Sequence, residues 1–205
     1  MTLTLLHTAE AHCARFEALR DRIAPETELR QLVRADWLSR AQGGLTPELE
    51  AEIASAVGAA EGPVICTCTT IGPAAEAAGA IRVDWPMMQE AAQTGGPILM
   101  VYCLKSTWKP SLELLERALQ QAEHKTKVHP MPLPQYWPLF EADQAEAFAA
   151  VIAGEIRQAI DSGREIGCVV LAQVSMAGAA PLLADLDVPV LSSPEMALRF
   201  GAGHS

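Results

Sequence analysis

Two short segments of this chain share one pattern and differ at one reactive position. Val64 to Ile71 reads V-I-C-T-C-T-T-I, and Val169 to Met176 reads V-V-L-A-Q-V-S-M. In alignment Cys68 stands opposite Gln173, and Thr70 opposite Ser175. A thiol acts as a nucleophile or a base once ionised, and donor hydroxyls or helix N-termini beside it ease that ionisation. Glutamine offers hydrogen bonds but no titratable proton. The pattern therefore places one candidate reactive group, Cys68, in a duplicated frame whose second copy lacks it.

Each segment is an apolar run ending in small polar residues, as expected of a buried strand that delivers side chains to its C-terminal end. Ligands of parallel α/β sheets bind beyond those ends. The residues with that address are His7 and Thr8, then Cys68, Thr69 and Thr70, then Lys105, Ser106 and Thr107, and finally Gln173 and Ser175. Hydroxyls, amides and helix N-termini together suit a carboxylate. His7 reads either as a donor or proton shuttle, or as a satisfied structural histidine. Lys105 reads either as a carboxylate partner or as a solvated lysine. Trp108, directly after Ser106 and Thr107, is a candidate for an aromatic pocket wall, whereas Trp37 and Trp85 read as core or lobe-interface residues.

Strand alternation puts Cys66 on the same face as Cys68, one step deeper. Cys66, Cys103 and Cys168 read as small buried hydrophobes. The Cys66-Thr67-Cys68 triplet has no second cysteine or histidine pair at ligand spacing, so no metal site is expected. Nucleotide-binding and serine-hydrolase signatures are missing too.

The elements that must position these residues alternate. Apolar strands are expected at 3–6, 29–33, 64–68, 81–83, 98–104, 128–131, 168–173 and 188–191, with helical patterns at 10–23, 47–57, 111–123 and 143–160 between them. Such alternation points to parallel sheets built from βαβ units. V-D-W-P-M-M at Val83 and L-S-S-P-E-M at Leu191 extend the repeat, so a unit of roughly a hundred residues is duplicated. The expected architecture is α/β with two pseudo-symmetric lobes. Each has a four-stranded parallel sheet flanked by helices. Residues 1–94, joined by 192–205, make the first lobe and 95–191 the second, and Gly95-Gly96-Pro97 marks the junction. Thr46-Pro47 reads as a helix start and Ser162-Gly163 as a helix stop. The proline-rich stretch Pro130 to Pro138 reads as a rigid loop or cleft wall.

A formal charge of −10 and a pI near 4.9 argue against nucleic acid as a partner. No apolar run is long enough for a membrane helix and no signal-peptide pattern opens the sequence, so a cytoplasmic protein with reduced thiols is expected.

The two strand ends, V-I-C-T-C-T-T and V-V-L-A-Q-V-S-M-A, resemble the two active-site motifs of the aspartate/glutamate racemase superfamily, whose relatives include hydantoin racemases, maleate isomerases and arylmalonate decarboxylases. The likeness runs from L-T-L-L-H-T at the first strand to V-P-V-L-S-S-P-E-M at the last. It implies two lobes with the site between them and, in ordinary members, one cysteine from each lobe facing opposite sides of a substrate α-carbon. No pyridoxal phosphate or other cofactor is implied. By this resemblance Cys68 takes the first-lobe cysteine position. Thr69 and Thr70 replace the neighbouring pair that holds the substrate carboxylate, and Gln173 occupies the second cysteine position.

Two-thiol racemisation is thereby in doubt, because Gln173 cannot serve as the second base. What the resemblance leaves is a one-thiol isomerase or lyase acting beside a carboxylate, a racemase that recruits His7 or Tyr136 for the other face, or a non-catalytic carboxylate binder. His7, Thr8, Thr69, Thr70, Ser106, Thr107, Gln173 and Ser175 are the expected substrate contacts, for a small carboxylate or dicarboxylate. A homo-oligomer, with a dimer favoured, is the expected assembly.

Overall fold

The computed structural model describes residues 2–203. Contacts divide the chain into two compact units, Met1–Pro86 with Pro194–Ser205, and Met87–Ser193.

In the first unit the strands are β1 (Thr2–His7), β2 (Glu28–Val33), β3 (Val64–Cys66) and β4 (Ile81–Arg82). The helices are α1 (Ala11–Ile23), α2 (Ala35–Ala41), α3 (Pro47–Gly58), α4 (Gly72–Ala77) and α9 (Ser193–Gly201). The sheet has the order β2-β1-β3-β4, all parallel. The central strands β1 and β3 are buried almost throughout, whereas edge strand β2 alternates toward solvent. A strand covered by helices on both faces needs a continuous apolar sequence, and L-T-L-L and V-I-C supply it.

In the second unit the strands are β5 (Ile98–Tyr102), β6 (Val128–Pro132), β7 (Cys168–Leu171) and β8 (Val190–Ser192). The helices are α6 (Lys105–Gln121), α7 (Trp137–Glu141) and α8 (Ala145–Asp161), while α5 (Trp85–Gln93) spans the boundary between the units. The order is β6-β5-β7-β8, again all parallel. This is the strand order of the first unit moved along by four strands, so the repeat read in the sequence is a repeat of topology. Helix α8 buries Phe148, Ile152 and Ile156, at successive turns of one face, against Leu99, Val101, Val169 and Leu171.

Local signals explain several boundaries. Thr46 accepts the Leu49 amide at 3.3 Å, and Pro47 follows as the first residue of α3. Gly163, at φ 78°, ends the chain's run through α8 and Ser162. Gly96 and Gly167 are in backbone contact just before β5 and β7, and a Cβ on Gly167 would collide with the Gly95 carbonyl.

Three expectations need correction. Pro130 to Pro138 is not a loop: Pro130 and Pro132 lie in β6, followed by a 3-10 turn at Pro134–Tyr136 and then α7. Proline is tolerated there because β6 is an edge strand, where a missing N–H can face away from the sheet. Helix α6 starts at Lys105 rather than Ser111 and runs through Pro110. A proline in the second turn removes one backbone bond, and burial of Leu114, Leu115, Ala118 and Leu119 outweighs that loss. Finally, strand bounds shift: β8 begins at Val190, two residues later than expected, and β3, β5 and β7 each end two residues earlier, at Cys66, Tyr102 and Leu171, so that Cys68 and Gln173 follow their strands.

Candidate active site

Loop 67–71 leaves β3 at the C-terminal edge of the first sheet and leads into α4. Its entry is fixed by Thr67, whose amide donates to the Leu6 carbonyl at 2.9 Å. Its exit is fixed by Gly72, whose amide donates to the Thr69 carbonyl at 3.2 Å. Cys68 sits half-buried within it. The sulfur is met by the Thr8 hydroxyl from the end of β1 and by the backbone N–H groups of Thr70 and Ile71. The structure thus brings together Cys68, Thr8 and Thr70, with Thr69 and Thr70 both buried beside the sulfur-bearing residue.

Opposing influences act on this thiol. Burial pushes it up and the negative charge of Asp84 pushes the same way, whereas Thr8, Ile71 and Thr70 pull it down through hydrogen bonds. The net direction is up. At neutral pH Cys68 is a thiol rather than a thiolate. Three donors are nevertheless aimed at the position where negative charge would form if its proton left. Cys66, one step deeper, is fully enclosed. It donates to the Cys68 carbonyl at 3.5 Å and is also pushed up by burial, in keeping with a packing role.

His7 does not join this cluster. Its ring is fully buried against α1, with its centroid 5.6 Å from that of Phe16 and 6.2 Å from that of His12. Nδ1 lies 2.8 Å from Thr67 Oγ1 and Nε2 lies 3.0 Å from Gln31 Oε1. The Gln31 amide donates to Glu17 at 2.8 Å, which turns its oxygen toward the histidine and makes Nε2 the protonated nitrogen. Burial holds His7 down to about 4. It is therefore a neutral ring with both nitrogens engaged, the structural alternative of the two that its position allowed.

At the corresponding edge of the second sheet, Gln173 is buried and its side-chain oxygen accepts two amides, Cys103 at 2.6 Å and Leu104 at 3.0 Å. The residue in the second cysteine position thus ties the end of β7 to the turn that starts α6. Ser106 and Thr107 occupy the first turn of α6, Thr107 buried and donating its amide to Leu104 at 3.0 Å. Ser175 opens a 3-10 segment, Val174–Leu183. Its hydroxyl is buried without a protein partner. Lys105 is exposed.

No other thiol stands in for the second cysteine in this unit. Cys103 points into the core with Leu133 and Phe148, and burial pushes its thiol up to about 12. Tyr136 donates to Glu155 at 2.5 Å and packs on the same core, which engages the phenol proposed for the missing face. The Trp108 ring stacks on Tyr102, with centroids 5.3 Å apart. Trp37 is core, as read from the sequence.

The sequence reading missed four residues around Cys68: Thr67, Gly72, Arg82 and Asp84. The last two form a bidentate ion pair that is almost completely buried, with Arg82 Nε and Nη2 donating to Asp84 at 3.1 and 2.8 Å. Its signal was R-V-D in an otherwise apolar stretch, opposite charges two apart and so on one face of a strand.

Among the described residues there is no cluster of three or more His, Cys, Asp or Glu that could hold a metal ion, and no helix is long and apolar enough to cross a membrane. No protein-family model and no curated protein matches the chain. Solved structures do. Glutamate racemase from Francisella tularensis, solved with D-glutamate, matches with a TM-score of 0.69 at 11% identity, over 97% of this chain and 78% of the other. Allantoin racemase from Klebsiella pneumoniae matches with a TM-score of 0.63 at 17% identity, over 99% and 86%. The Pseudomonas fluorescens allantoin racemase gives 0.57 at 15%, over 99% and 90%. With its two parallel sheets in one repeated strand order, this chain has the fold of the glutamate and allantoin racemases.

Proposed function

We propose that this protein is a cofactor-independent enzyme of the aspartate/glutamate racemase superfamily that moves a proton at the carbon next to a carboxylate, with Cys68 as its one catalytic thiol. The observation that carries this reading is the cradle around the Cys68 sulfur, set at a strand end of a racemase fold.

A thiol held in its protonated form is a weak base but a ready proton donor. When loss of carbon dioxide leaves an electron pair on the substrate α-carbon, Cys68 delivers its proton to that carbon and becomes a thiolate. The Thr8 hydroxyl and the Thr70 and Ile71 amides then strengthen their hydrogen bonds to the new charge. Preorganised donors that gain strength as charge forms lower the barrier of that step. Water restores the thiol proton afterwards. Gln173 has no proton to give from a second face, so a decarboxylation or isomerisation that uses one face ranks above racemisation.

Thr69 and Thr70, and in the second unit Ser106, Thr107, Gln173 and Ser175, are the proposed substrate contacts. The substrate is a small carboxylate or dicarboxylate, and a cytoplasmic homodimer completes the reading.

The test is NMR in deuterated buffer with amino diacids, aryl- and alkylmalonates, maleate and hydantoins, comparing wild type with Cys68→Ser. Deuterium incorporation, decarboxylation or isomerisation that disappears in Cys68→Ser is the expected result. Turnover that persists in the variant, or binding without reaction in the wild type, removes the proposal.

A further inference from the structure

Next to loop 67–71 the short strand β4 ends at Arg82, which forms a buried pair with Asp84 two residues on. Arg82 is in register with Cys66 across the β3–β4 pairing, and the Val83 amide donates to the Cys66 carbonyl at 3.0 Å. The far end of the loop rests on the same pair. Gly72, the first residue of α4, lies so close to the guanidinium that a Cβ would stand 3.0 Å from Arg82 Nε. The segment that carries Cys68 is therefore paired to β4 at its start and packed against the Arg82 guanidinium at its end.

A buried ion pair is weak evidence of stabilisation, because desolvation offsets much of the attraction. Its presence next to a catalytic loop calls for another account. We propose that Arg82 and Asp84 are positioning residues for Cys68: the guanidinium, held by Asp84, packs against Gly72 at one end of the loop while β4 pairs with β3 at the other, so the pair sets the surroundings in which the thiol sits.

The negative charge of Asp84 disfavours the thiolate, in agreement with the direction in which it acts on Cys68. Asp84 and Arg82 act on Cys66, and Asp84 and Cys66 are linked electrostatically to Cys68. The Asp84 charge adds to burial in keeping Cys68 protonated. This deepens the proposed function, but its test reads the thiol itself and not turnover.

The experiment follows the pH dependence of iodoacetamide labelling at Cys68 by peptide mass spectrometry in the full-length protein. Cys13 on α1 serves as an internal reference, since its influences come from burial, Glu10 and Glu17. Asp84→Asn removes the charge and keeps the shape. The expected result is a Cys68 labelling midpoint moved to lower pH, with labelling at pH 7.5 about threefold to tenfold faster and Cys13 unchanged.

The double variant Arg82→Met/Asp84→Asn covers the case in which the single variant fails to fold, because it leaves no buried charge unpaired. It is expected to move the midpoint the same way. Gly72→Ala, which displaces the guanidinium, is expected to alter the Cys68 profile without touching either charge. A folded Asp84→Asn or double variant with the wild-type Cys68 profile overturns the proposal, whether or not a substrate is found. Absence of turnover in the wild type, with the predicted profile shift intact, counts against the proposed function alone.

Discussion

The side-chain oxygen of Gln173 accepts the Cys103 amide at 2.6 Å and the Leu104 amide at 3.0 Å, so one side chain satisfies two consecutive backbone donors at the turn between β5 and α6. The residue that stands where a second thiol is expected is built into the backbone hydrogen bonding of its own unit. Gln173→Leu strands two buried donors and is expected to cost about 1 to 3 kcal/mol in urea denaturation. Gln173→Glu keeps the acceptor and is expected to stay nearer to wild type. Equal stabilities for the two variants would show that the hydrogen bonds do not matter.

Cys68→Ser is expected to lower the rate of substrate turnover by about 10² to 10⁴-fold while leaving the unfolding midpoint close to wild type, since serine fits the same half-buried space. Thr8→Val removes one donor to the sulfur and is expected to slow the same step by a smaller factor, with the midpoint of Cys68 labelling moved to higher pH. Steady-state kinetics and labelling on the same preparations check both.

His7 and His12 are held by burial at about 4 and about 3, below the ordinary value near 6.5. The unfolded chain therefore binds more protons than the native one between those limits. The contribution of each buried neutral ring is present in full above pH 6.5 and is lost as pH falls through the window down to about 4 for His7 and about 3 for His12. For His7 alone the loss amounts to about 3 kcal/mol. Urea midpoints measured at pH 7 and pH 4.5 are expected to differ strongly in wild type and much less in His7→Gln, and an equal drop in both excludes His7 as the source.

Gly167→Ala places a methyl group against the Gly95 carbonyl and the Gly96 backbone, where no flexible side chain can give way. A loss of about 3 kcal/mol or more is expected, read from thermal unfolding. Gly154→Ala, in the middle of α8 with open space at its Cβ, is expected to be neutral or stabilising.

Much of this fold was legible because its central strands are continuous apolar runs and its helices carry a distinct period. Cys168 to Leu171 and Phe148 to Ile156 differ in length and pattern, and each took the form its pattern demanded. Where the reading went wrong, proline was the cause. The helix expected from Ser111 begins at Lys105 and runs through Pro110, and the strand expected to end at Met131 runs on to Pro132, because a residue near the start of a helix or on an edge strand tolerates a missing N–H. At the site, strand ends supplied the right addresses without the orientations. His7 ends β1 next to Thr8, and only the packing of α1 decides that the ring turns away while the threonine hydroxyl reaches the sulfur. Arg82 and Asp84 escaped notice because charged residues are ordinarily read as surface, and nothing in the local sequence announces that β4 is covered.

Helix α9 follows the second unit in the chain yet packs into the first. A Cβ on Gly201 would press on Ile65 and Leu3, so the helix closes directly over the two strands that lead to Thr8 and Cys68. During synthesis, residues 87–193 leave the ribosome before this cover exists. The second unit has all its own elements by then, while the first, begun earlier, must wait with the flank of β1 and β3 open. A nascent chain stalled before Pro194 therefore lacks the helix that covers Leu3 and Ile65.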